Sequence, residues 1–129
     1  MTDSISLFAL ASRKMEWLGV RQKVVAENVA NADTPGFKAK DIDSFETMLG
    51  RARRADGLEL TNARHISGTQ GSSVGINVDE TAWDETMDGN TVVLEQQTIL
   101  SNDIHENFRL ATQIYRKGHD LMNLAASAR

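Results

Sequence analysis

Three histidines, a carboxylate group at Asp41, Asp43 and Glu46, and a Gly68-Thr69-Gln70-Gly71 run are residues of this chain whose types could do chemistry. Histidine and carboxylate side chains hold zinc when their spacing brings them onto one helical turn. His105 and His119 stand fourteen residues apart, His65 is distant from both, and neither His-x-x-x-His nor Glu-x-x-His occurs. They read as solvated surface histidines. The Asp41-x-Asp43 pair with Glu46 lacks the spacing and mid-loop glycine of a calcium loop, so these are expected to be helix-capping carboxylates. The Gly68–Gly71 run has no following lysine, and a flexible connection is expected instead of a phosphate cradle. Arg51-x-Arg53-Arg54 sits among acidic neighbours and reads as a solvated face. No nucleophile–base pair is legible, so no catalytic residues, metal, cofactor or small-molecule substrate are expected.

The amides are more informative. Asn28 and Asn31 share one helical face beside the apolar positions Val25, Val29 and Ala32, where a polar pair fixes register more than it adds stability. The pattern then stops at the chain's only proline. Proline has no amide hydrogen and holds Thr34 in an extended conformation. Pro35-Gly36 suits the central positions of a type II turn, where glycine takes a positive φ. A second polar stretch, Met87-Asp88-Gly89-Asn90-Thr91, precedes the last helical pattern, with Asn90 or Thr91 expected to cap it.

Long helices must position these residues. The seam Phe8, Ala11, Met15, Leu18, Gln22, Val25, Val29, Ala32 has the spacing of a coiled coil with one polar interruption. It predicts a helix from about Ser4 to Asn31. Leu7, Leu10 and Trp17 lie off that seam, so the helix needs more than one partner. Phe45, Met48, Leu49 and Ala52 predict a short helix. Leu58-Glu59-Leu60 and Val74–Val78 alternate as the strands of a loose hairpin do. From Asn90 the helical period returns through Val93, Gln97, Leu100, Ile104, Ala111, Ile114, Gly118, Leu121 and Ala125. The expected fold is mainly α. Two long terminal helices form an antiparallel coiled-coil-like hairpin around a small irregular middle segment with a short helix and a β-hairpin. The expected divisions are 1–36, 37–86 and 87–129.

Composition narrows the class. The 129 residues suit one domain and carry a net charge of −4, which argues against a nucleic-acid partner. Residues 1–64 hold 10 basic and 9 acidic side chains and residues 65–129 hold 4 and 9, so the halves can attract each other or a neighbouring subunit. There is no cysteine. No cleavable signal peptide is legible at the start, and no apolar run is long enough to cross a bilayer.

Asn28-Val29-Ala30-Asn31-Ala32-Asp33-Thr34-Pro35-Gly36-Phe37-Lys38 resembles the N-terminal signature of bacterial flagellar rod and hook proteins, the axial family. Ala39–Glu46 and Met87–Glu95 are most similar to a proximal-rod member. The resemblance implies a structural subunit of the basal-body rod in the periplasm. Such a subunit connects the membrane ring to the distal rod, transmits torque and lines the export channel. Implied partners are other rod subunits, further copies of itself, the membrane-ring protein with its rod adapter, and the flagellar export apparatus, which removes no signal peptide. The assembly residues so marked are Asn28, Asn31, Thr34, Pro35, Gly36, Phe37, Asp88, Gly89 and Asn90. Another short rod protein, a cytoplasmic helical adapter and a small enzyme are the competing readings.

Overall fold

The apolar spacing from Phe8 to Val25 is realised as helix α1, Thr2–Ala30, about 43 Å long at about 1.5 Å per residue. The structure, a computed structural model, describes residues 2–56 and 74–127. After α1 come strand β1 (Lys40–Ile42), helix α2 (Phe45–Asp56), strand β2 (Ile76–Val78) and helix α3 (Leu94–Ser127). Helix α3 lies antiparallel to α1. Phe8 meets Tyr115 edge-on at 5.3 Å and His119 at 5.1 Å, Met15 lies against Thr112, and Asn28 reaches Gln97.

Ala11, Leu18 and Val25 are buried on α1, and Gln97, Ile104 and Ala111 on α3 at intervals of seven. That spacing keeps one stripe turned towards the partner helix. Gly118 continues it: a Cβ there would stand 2.8 Å from Phe8 Cε1, so the missing side chain makes room for the ring. Val29 departs from the expected seam. It is exposed, because the chain turns away beyond it and α3 begins only at Leu94.

The second face of α1 finds its partner in the middle segment. Trp17 and Leu18 cluster with Val25, Met48 and Ile104, while Ile42, Phe45 and Leu49 pack around them. The Trp17 indole Nε1 donates to the Asp43 carbonyl at 2.8 Å, so its polar tip is satisfied inside the core. Leu7 and Leu10 lie beyond the reach of this layer and remain exposed.

The middle differs from its expectation in two ways. The Val74–Val78 stretch does supply a strand, but it pairs antiparallel with β1, Lys40 opposite Val78 and Ile42 opposite Ile76. Leu58–Leu60, the Gly68–Gly71 run and His65 lie outside the described residues. Neither Asp41 nor Asp43 caps α2. Ser44 does, its hydroxyl accepting the Thr47 N–H at 3.2 Å. Both carboxylates are claimed by guanidinium groups instead: Asp41 by Arg21 at 2.9 Å and Asp43 by Arg51 at 2.5 Å. Arg21 also reaches Asp103 of α3 at 3.7 Å, one of the attractions between chain halves that the charge distribution implied.

Replacing Trp17 with phenylalanine keeps most of the ring but leaves the Asp43 carbonyl without its donor. The expected loss is about 1–3 kcal/mol of unfolding free energy, measured by urea denaturation followed by circular dichroism. An unchanged midpoint would mean that the indole bond contributes nothing.

Candidate functional site

A helix end leaves its last carbonyls without intrahelical donors. At the end of α1 the chain first tightens, Asn31 N–H reaching the Asn28 carbonyl at 3.1 Å and Ala32 N–H the Val29 carbonyl at 3.2 Å. Pro35 then prevents continuation. Phe37 N–H donates to the Thr34 carbonyl at 3.2 Å and Gly36 takes φ +71°, the type II geometry expected of Pro35-Gly36. Nothing crowds a Cβ at Gly36, so backbone conformation alone calls for glycine there.

The second motif folds directly onto this turn. Gly89 N–H closes a turn on the Thr86 carbonyl at 2.9 Å, and Gly89 itself takes φ +83°. The Asp88 carbonyl accepts the Gly36 N–H at 2.9 Å, and a Cβ at Gly89 would touch the Gly36 Cα at 3.6 Å. The Thr86 hydroxyl donates to the Asp88 carboxylate and holds that carboxyl below the usual range.

Asn90 is the centre of the junction. It is 2% exposed, and its Nδ2 lies 2.9, 2.9 and 2.8 Å from the carbonyls of Asn31, Ala32 and Thr34. Its Oδ1 accepts the Val92 N–H at 2.8 Å. The sequence position of Asn90 suggested a cap for α3; instead its amide gathers the carbonyls of the turn beyond α1. Thr91 does not cap α3 either: its N–H donates to the Phe37 carbonyl at 3.0 Å and its hydroxyl accepts the Ala39 N–H at 2.8 Å. Two motifs more than fifty residues apart thus form one polar joint.

The asparagines of α1 play different parts. Asn28 is 0% exposed. Its Oδ1 accepts the Lys40 N–H at 2.9 Å, and its Nδ2 donates to the Lys40 carbonyl at 2.7 Å and to Gln97 Oε1 at 3.0 Å. Asn31 bonds locally, to the Glu27 carbonyl at 2.8 Å and the Thr34 hydroxyl at 3.2 Å. Phe37 is half-buried, with the Lys40 ammonium 5.6 Å from its ring centre. Gln97 is the site residue that sequence reading placed only in an apolar seam; a buried amide at a core position of α3, matching the one on α1, is the signal for it.

Around this joint lie surfaces of a different kind. Ile99, Leu110, Ile114, Leu121 and Leu124 of α3 are 42–66% exposed. At about 100° per residue Leu110, Ile114, Leu121 and Leu124 form a stripe roughly a quarter turn from the α1 contact, while Ile99 lies nearly opposite that contact. On one flank of the helix pair a groove of about 470 Å³ is lined by Val25, Ala26, Val29, Thr98 and Ser101. Gln22, the polar interruption of the seam, lies between this groove and an apolar cleft at Leu18, Ile104 and Phe108, and its Oε1 is buried without a partner among the described residues. His119 packs at a tilt against Phe8 and Tyr115, and His105 bonds the Ser101 carbonyl one turn back. Among the described residues, no three histidines or carboxylates stand together as metal ligands would.

Comparison with known proteins bears on both motifs. The family model described as "Flagella basal body rod protein" matches residues 18–38, which include Asn28 and the Pro35-Gly36 turn. The flagellar basal body rod protein FlgB of Agrobacterium fabrum is 36% identical over 122 residues, 92% of this chain and 90% of that protein. FlgB of Yersinia enterocolitica is 40% identical over 85 residues and FlgB of Salmonella typhimurium 37% over 84. Those two matches cover 60% of this chain and 61% of each relative.

The joint makes a graded prediction. Asn28→Leu strands the Lys40 amide and the Gln97 oxygen in the interior and should cost about 3 kcal/mol, and Asn90→Ala about 2 kcal/mol. Asn31→Leu, at a water-exposed turn, should cost less than about 1 kcal/mol. Urea midpoints of the purified variants give the order, and equal losses at Asn28 and Asn31 would contradict it.

Proposed function

The chain belongs to the FlgB family of flagellar basal body rod proteins, and on that premise we propose that it is a structural subunit of the proximal rod, not an enzyme. The subunit connects the membrane ring to the distal rod, transmits torque and lines the export channel. The observation that carries this reading is the exposed stripe of Leu110, Ile114, Leu121 and Leu124 on a helix whose other face is already occupied by α1. Contiguous exposed apolar surface on a polar-rimmed protein is an interaction surface. Identical contacts repeated head to tail generate rings or open helices, the symmetry that a tube requires.

Stiffness is the second requirement. A subunit that passes torque must resist bending and sliding between its helices. The aromatic contacts of Phe8 hold one end of the pair, the bond from Asn28 to Gln97 holds the other, and Arg21 bridges the middle to Asp103. The partners in this reading are further copies of the chain, other rod subunits, the membrane-ring protein with its rod adapter, and the export apparatus. The position is the periplasmic part of the basal body, reached through that apparatus without removal of a signal peptide. The motif residues Asn28, Asn31, Thr34–Phe37 and Asp88–Asn90 serve assembly indirectly, by setting the shape that neighbours meet.

Leu110→Glu and Ile114→Glu test the reading. Both side chains face water in the free subunit, so its thermal melting should hardly move. Rods and motility should be lost, because a carboxylate would have to be buried at every subunit contact. Mass analysis of purified basal bodies should recover the chain with its first residues intact. Normal swimming of both variants would remove the stripe from the assembly surface.

A further inference from the structure

The two-stranded sheet has two outer edges, and one of them is closed. On β1 the outward N–H and carbonyl of Lys40 are both taken by the Asn28 amide, and the Ile42 N–H by Asp41 Oδ1 at 2.8 Å. On β2 the hydrogen bonds from Asp43 N–H to Gly75 O and from Asp79 N–H to Ala39 O fix which residues face inward. With Asn77 opposite Asp41, the alternation of an antiparallel ladder turns the N–H and carbonyl groups of Ile76 and Val78 away from β1. Among the described residues nothing bonds to them. The side chains of Ile76 and Val78 share a face, 52% and 56% exposed.

Beside this edge opens a cleft of about 550 Å³, bounded by Asp41, Ile42, Asn77, Val78, Asp79 and Glu80. Asp41 is committed to Arg21, and one oxygen of Asp79 accepts from Thr81. Glu80 has no ion-pair partner among the described residues. The cleft is therefore net acidic.

We propose that the β2 edge receives an extended segment of an adjacent subunit as a third strand, apolar residues of that segment covering Ile76 and Val78 and a lysine or arginine reaching Asp79 and Glu80. The geometry selects the occupant. Unpaired groups two residues apart on a strand are matched by another extended backbone, whereas a helix has already spent its own N–H and carbonyl groups. Charge complementarity supplies the basic residue. The inference rests on the rod-subunit reading, since it takes the neighbour in the assembly as donor.

Val78→Pro removes the outward N–H and leaves the ladder bonds of Asn77 intact, a substitution that an edge position tolerates. Its free chain should melt as the parent does, while basal bodies carrying rods should fall at least tenfold. A photo-reactive p-benzoylphenylalanine at Ile76, and separately at Ile114, is then activated in purified basal bodies. The peptide joined to position 76 should come from a non-helical stretch of a neighbouring subunit with Lys or Arg within a few residues. Links from 114 without links from 76, links from 76 into a helix, or normal rods with Val78→Pro would each overturn the edge proposal while leaving the subunit reading standing. Absence of the chain from basal bodies would overturn the subunit reading itself, and this inference with it. Should proline unfold the free chain, the linked peptide alone decides.

Discussion

The fold turns on one carboxamide. A side-chain amide offers the same donor and acceptor as a peptide unit, and Asn28 uses its amide as a strand would, accepting from the Lys40 N–H and donating to the Lys40 carbonyl. Its remaining hydrogen goes to Gln97 of α3. Three elements that share no backbone ladder with one another are thereby held at one buried point. A leucine fits the same volume but supplies none of these bonds, and buried polar groups without partners are what the interior penalises most. Placing β1 also places what is attached to it. The Asp43 carbonyl comes under Trp17, and the chain before Lys40 comes under Thr91.

Asn90 solves a complementary problem. A proline can stop a helix but cannot by itself fix the path of the chain that follows it. An amide from a distant part of the chain takes that role. The positive φ values of Gly36 and Gly89 shape the two turns so that they meet, the Gly36 N–H reaching the Asp88 carbonyl. Closing a loop of more than fifty residues costs entropy that grows only slowly with length. A few well-made buried bonds at the junction, together with the α1–α3 seam, are enough to hold it.

Periodicity made the helices legible, because a stripe of Leu18, Val25, Ile104 and Ala111 has one physical solution. The type II turn was legible too, since Pro35-Gly36 permits few conformations. The individual polar partners were not. Asp41, Asp43, Asn90 and Thr91 are all competent caps, and their sequence positions favour that use. Only the tertiary arrangement shows that Arg21 and Arg51 claim the aspartates and that the carbonyls past α1 claim Asn90. A polar side chain near a helix start has several equivalent local offers, and long-range partners decide among them. The pairing of β2 with Lys40–Ile42 was hidden for a related reason. Three residues are too short for an alternation signal, and β1 is also held on its other edge by the amide of Asn28.

These contacts give the helix pair unlike ends. At the Pro35 end the bonds that set the chain's path are polar, specific and made within the subunit. At the other end Leu7 and Leu10 of α1 and Leu121 and Leu124 of α3 are exposed. Polar joints are suited to fixing geometry, because a misplaced partner costs more than a correct one contributes. Apolar stripes are suited to association, because burial is non-directional and scales with area, so a partner can settle without matching each bond in advance. A subunit arranged this way can hold its shape before it meets its neighbours and still gain free energy on joining them. Gln22 is where the two logics meet. Its buried, unpartnered oxygen lies in the wall of the flank groove, and the helix pair supplies it no donor. Among the described residues it is the one buried side-chain acceptor left unpaired, in a wall otherwise apolar or small.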